Sequence, residues 1–279
     1  MVLETIISPK TARKHSWQIA ILAFIFTSIG IFAANYLGIH QSIVAITLVS
    51  MPAVPFVWRL FDFEEEETEK GVVMGSRTIA RHLPVIMVLS MLFIGLIAGF
   101  VFWYFALPAE ASKTIFEVQN TELANIGVSS GKAIFSIAQD KFLDTFEMLF
   151  FHNFGVLLII VLFSILYSSG AVFVLVWNSS IIGAFIGNYA KAVSQGSNIF
   201  AILGGIGTSA LGLFPHGSFE LLAYLTAALA GGILSSAITR EVHKSNSFIL
   251  VLHDSIKLTA ISIILLAIAA FIEAGTIVH

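Results

Sequence analysis

Apolar runs of roughly twenty residues, separated by short polar or glycine-bearing breaks, recur along most of the chain: 17–37, 41–60, 84–106, 154–177, 198–214, 218–238 and 255–275. A hydrocarbon layer ~30 Å thick is crossed by roughly 20 helical residues, and a helix satisfies its own backbone groups where no water can. The pattern predicts an all-α, polytopic transmembrane helical bundle of about seven spans. From Met148 to Thr239 the only Asp, Glu, Lys or Arg side chains are Lys191 and Glu220. A soluble domain does not tolerate so long an uncharged stretch.

Tryptophan favours the headgroup level. Trp17 opens the first run, while Trp58, Trp103 and Trp177 lie near the ends of the second, third and fourth. Lys10, Arg13 and Lys14 precede the first run, and Arg59, Lys70, Arg77 and Arg81 lie between the second and third. These clusters predict a cytoplasmic N-terminus in a multi-pass protein of the cell membrane. Carried forward, this places 107–153 outside and Lys191, Arg240, Lys244 and Lys257 inside, provided that 178–190 is re-entrant. A rival arrangement breaks the chain at Ser168-Ser169-Gly170 into two crossing helices, giving eight spans.

The chain divides into an N-terminal transmembrane hairpin (1–62), an acidic cytoplasmic linker (63–83) and a transmembrane core (84–279) with an extracytoplasmic segment at 107–153. Asp62, Glu64-Glu65-Glu66-Glu67 and Glu69 form a self-repelling run. It is expected to be solvated, either as a linker or as a docking site for a basic partner. Ile134, Ala138, Phe142, Phe146 and Phe150 recur at helical spacing, which suggests an amphipathic helix on the membrane leading into the fourth span.

Composition narrows the chemistry. With 57% hydrophobic and 11% charged residues, the chain is a lipid-bilayer protein. A net charge of −3 without a basic stripe gives no support to nucleic-acid binding. No cysteine is present, so disulfides, thiol catalysis and cysteine-ligated metals are excluded.

An ionisable residue inside a membrane is expensive and demands a reason. The stretch Leu213-Phe214-Pro215-His216-Gly217-Ser218-Phe219-Glu220 reads as a tight turn into a new helix, with His216 and Glu220 on one face of its first turn. The pair is either a fastening or part of a polar intramembrane site, with His152, Asn153, Asn178, Asn188, His253 and Asp254 as candidate further walls. Two residues are a weak metal site, so His216 and Glu220 are weak candidates for a divalent cation, and His-Glu-x-x-His is absent. Asn153 and Asn178 also suit helix caps. His15, His82, His243 and His279 are expected to be solvated or interfacial. Gly183, Gly187, Gly204, Gly205, Gly207, Gly212, Gly231 and Gly232 suit close helix packing, or a backbone-lined cavity.

The stretch from about Glu147 to Glu273 contains Pro215-His216-Gly217-x-x-Glu220-Leu221, preceded by Asn153 leading an apolar run and by Asn178 followed by Gly183. In this it resembles the SpoIIM family, the stage II sporulation protein M-like membrane proteins. It departs from that pattern in His152-Asn153, where the family often has Asn-Asn, and in Asn178-Ser179, where it often has Asn-Gly. The resemblance implies a membrane scaffold, which in spore formers recruits or organises cell-wall-remodelling enzymes. Three functions follow as expectations: a scaffold or assembly factor with membrane or envelope protein partners, a transporter or channel with a polar site at His216/Glu220, and an intramembrane metal-dependent hydrolase. A homo-oligomer is compatible with all three.

Overall fold

The computed structural model describes residues 7–38, 41–69, 78–125, 142–195, 198–240 and 248–278. Ten α-helices cover nearly all of them: α1 (Pro9–Lys14), α2 (Trp17–Leu37), α3 (Gln41–Glu69), α4 (Thr78–Ala106), α5 (Ala109–Ile115), α6 (Glu117–Asn125), α7 (Phe142–Tyr167), α8 (Ala171–Ser194), α9 (Ile199–Thr239) and α10 (Phe248–Val278). Seven of these, all but α1, α5 and α6, are long and apolar enough to cross a bilayer. The protein is an all-α, multi-pass membrane protein.

The span count agrees with the hydrophobic pattern, but two spans are divided differently. The expected fourth span, 154–177, is broken by Ser168-Ser169-Gly170 into α7 and α8. Ser168 takes a left-handed conformation at φ 55°, and a side chain at Gly170 would collide with the Phe163 carbonyl. A tight turn therefore fits only this small-residue sequence. Residues 178–190, expected to be re-entrant, lie within the crossing helix α8.

Conversely, 198–214 and 218–238 form one helix, α9, instead of two. Pro215 does not turn the chain. In hydrocarbon, breaking the helix would strand several backbone groups, whereas keeping it forfeits little more than the bond that proline cannot donate. Pro52, Pro55 and Pro84 are likewise accommodated inside α3 and α4. Together the two corrections give seven crossings, where the rival division at Ser168-Ser169-Gly170 predicted eight. Trp177, expected at the end of a span, consequently sits early in α8.

At 41 residues α9 is about 60 Å long. Its C-terminal half is the strut of the bundle: nearly every residue from Ala223 to Ala237 is buried, against α10, α7, α8, α3 and α4. Close approach depends on glycines. Gly232 abuts the Phe61 ring, Gly231 lies against Ser164, Gly183 against Phe100 and Gly187 against Tyr104. The N-terminal half of α9 is different: Phe200, Leu211 and Phe214 are exposed, and Gly204, Gly207 and Gly212 have open space where a side chain would project.

The acidic run is not a solvated strand of chain. Residues 63–69 continue α3, and Glu64 and Glu65 are buried. Of the expected amphipathic helix, Phe142, Phe146 and Phe150 lie on α7, while Ile134 and Ala138 fall outside the described residues. Lys70, Arg77, His243, Lys244 and His279 also fall outside them.

Candidate functional site

Polar side chains gather at three levels of the bundle. The first is the end at which α2, α4 and α10 begin and α3 and α9 finish. Here His82, expected to be solvated, is fully buried, because two carboxylates occupy its ring nitrogens. Nδ1 lies 2.7 Å from Oε1 of Glu64 on α3, and Nε2 lies 3.3 Å from Oδ2 of Asp254 on α10. Arg81 donates to the same Asp254 oxygen at 2.6 Å, and the Thr78 hydroxyl donates to Oδ1 at 3.1 Å. Arg13 of α1 approaches Glu64 at 3.4 Å while its guanidinium stacks over Phe63. Beside them Arg240 pairs with Glu65, and with Glu66 at 3.4 Å. Desolvation works against the Arg240 charge, but the carboxylates of Glu65, Glu66 and Asp62 outweigh it and hold its pKa above the ordinary arginine value.

Sequence reasoning places Asp254 on a site with Glu220 and misses Glu64, Glu65, Arg13, Arg81 and His82 as a unit. The available signal is the two apolar runs flanking the charges: α3 and α4 have to bring Glu64 and His82 to the same membrane face.

The second level lies farther along α9 and α10. The Asn153 amide of α7 donates to Oε1 of Glu220 at 2.7 Å, and the Glu273 carboxyl of α10 lies close enough to feel the Glu220 charge. Tyr224, one helical turn past Glu220, is buried. His216 stands one turn before Glu220; its Nδ1 is buried and has no partner among the described residues. Glu273 escapes the sequence reading, although a carboxylate so deep in the 255–275 run is its signal.

Other expected walls are elsewhere. His152 and His253 are exposed, and the Asn178 amide donates to the Val174 carbonyl of its own helix at 2.8 Å. Asp254 stands near the start of α10 and Glu273 near its end, so Asp254 belongs to the first level. Of the named site residues, Asn153 and Glu220 bond to one another. Among the described residues, no group of three or more His, Asp or Glu side chains is arranged to hold a metal ion.

The third level is the opposite end of the bundle. Asn188 accepts from the Tyr104 hydroxyl and donates to Oδ1 of Asn120, and Gln119 links Ser42 to Ser180. These bonds seat α6 across α3, α4 and α8. Lys191 caps the Tyr104 ring at 4.4 Å, a cation held over an aromatic face. That puts it at the end opposite His82 and corrects its expected position beside the other cations.

A family model described as Stage II sporulation protein M matches residues 19–276 of the chain. No curated protein and no solved structure matches it.

Proposed function

The chain belongs to the SpoIIM family, and from that premise we propose that it is a membrane scaffold or assembly factor for cell-envelope processes. The observation that carries this reading is how the ionisable groups at the His82 end are used. Arg13, Glu64, Glu65, Arg81, His82, Arg240 and Asp254 bind one another across α1, α3, α4, the end of α9 and α10. They fasten the helices into one frame, a structural use of charge that suits a protein presenting fixed surfaces to partners.

The positive-inside rule assigns the Lys10–Lys14 end to the cytoplasm. Helices α5 and α6 and the end of α10 are then extracytoplasmic. A photo-reactive residue at Phe200 or Leu211, introduced in cells, tests the scaffold. Discrete adducts with envelope proteins are expected; adducts with lipid alone would overturn the reading.

The Glu220–Glu273 pair favours a second reading, transport through a proton-dependent site. An intramembrane ionisable residue is by default a functional candidate. In reconstituted vesicles, proton flux abolished by Glu273→Gln would favour transport, and its absence in the wild type would leave the pair a fastening.

A further inference from the structure

His82 is buried with a carboxylate oxygen at each ring nitrogen: Glu64 at 2.7 Å and Asp254 at 3.3 Å. Neither carboxylate has a hydrogen to give, so both ring nitrogens must supply one, and a ring carrying both hydrogens is an imidazolium. Neutral imidazole donates through one nitrogen only. Its other lone pair would then face a carboxylate oxygen in a place where neither can be hydrated.

The surrounding charges show which contact yields. Around the ring stand Arg13 from α1, Glu64 and Glu65 from α3, Arg81 from α4, Arg240 beyond α9 and Asp254 from α10. Arg13 and Arg81 lie at the outer ends of the row, so the charges alternate: Arg13, Glu64, His82, Asp254, Arg81. With the proton, the row is continuous from α1 to α10. Without it, the direct contact between His82 and Asp254 is lost, and the row is joined only through the α4 backbone, from His82 on Glu64 to its neighbour Arg81 on Asp254. The shorter bond to Glu64 keeps the remaining hydrogen. Asp254 retains Arg81 and Thr78, so the Asp254 contact is the one released.

We infer that His82 is a proton-operated latch between α3 and α10, closed while the ring is an imidazolium and opened on its α10 side when the ring loses a proton. The sign follows from the bonding: the latch contributes stability below the ionisation of the folded-state ring and loses it as the pH rises through that ionisation. The latch acts on the α9–α10 hairpin, which is packed chiefly on itself and on α7 and α8 and is also held to α3 by the Arg240–Glu65 pair.

The absence of native cysteine allows a direct test in nanodiscs containing the full chain. Nitroxide labels at Trp58 on α3 and Ile249 on α10, both exposed, report the separation by pulsed electron resonance between pH 6 and pH 10. Nitrogen NMR of labelled histidine reports the ring. Both His82 nitrogens are expected to carry hydrogen at pH 7, and a longer-distance population is expected to grow as the ring titrates. Asp254→Asn should abolish the pH dependence of the distance, and His82→Gln should show the longer population throughout. A neutral His82 at pH 7 would overturn the latch, as would one unchanging distance while the ring titrates, or a pH-dependent distance that survives in Asp254→Asn.

Discussion

His82 Nδ1 and Glu64 Oε1 meet at 2.7 Å although 18 residues and a change of helix separate them. That contact joins the N-terminal helical pair to the rest of the bundle, so the acidic run at the end of α3 is an inward-facing fastener. Removing one partner leaves the other charge buried and uncompensated, at a cost of ~3–5 kcal/mol. Glu64→Ala and His82→Ala are each expected to lower the thermal midpoint in detergent strongly, measured by tryptophan fluorescence. Glu67→Ala, at a partly exposed position of the same run, should change it little.

Glycines on the two halves of the α8–α9 pair should respond oppositely to the same substitution. At Gly187 an added side chain would run into the Tyr104 ring, whereas Gly212 opens on free space. Gly187→Val is expected to cost ~1–3 kcal/mol by overpacking. Gly212→Val should stay within ~1 kcal/mol, because valine is no worse a helix former than glycine. Denaturation of the two variants side by side separates these outcomes.

Glu220 and Glu273 lie near one another inside the bundle, where two like charges repel, so an amide can replace one of them without breaking a favourable ion pair. Glu273→Gln is expected to remain within ~1 kcal/mol of the wild type in stability. Asn153→Ala removes the amide that donates to Glu220. That change is expected to cost ~1–3 kcal/mol. Equal, large losses in both variants would show that the Glu273 carboxyl is itself a stabilising partner in the bundle.

These sites differ in how far the sequence disclosed them. The apolar runs carried the class of fold and the number of crossings, since bilayer thickness fixes helix length whatever the tertiary contacts. They did not carry the division of 154–238. Pro215 and Gly217 look like a turn by soluble-protein rules, but lipid favours an unbroken helix, while Ser168-Ser169-Gly170 has the small residues that a real turn requires. Glu220 was legible as an isolated charge in an apolar stretch. Its partner Glu273 was not, because nothing local indicates which helices lie side by side. His82 was hidden for the same reason: beside arginine and ahead of Pro84 it reads as interfacial, and it is the end of α3 and the return of α10 that enclose it.

Lys191 carries a prediction about sidedness. Because α8 crosses fully, a cysteine at Gln195 should react with an impermeant maleimide from the same side as one at Asn125. A cysteine at His15 should react from the opposite side. All three positions are exposed. Labelling of Gln195 and His15 from one side would restore a re-entrant 178–190.

The arrangement of α7, α8 and α9 seats the Asn153–Glu220 bond, and one pair of serines reports on it. The hydroxyls of Ser168, in the turn between α7 and α8, and Ser236, near the end of α9, are 3.3 Å apart. The chain has no cysteine to interfere. The double variant Ser168→Cys/Ser236→Cys, purified and mildly oxidised, should close a disulfide in nearly all molecules, while pairing Ser168→Cys with Thr208→Cys should not. Free thiols in the first variant would contradict the turn at Ser168 and the continuous α9, and with them the frame on which the scaffold reading rests.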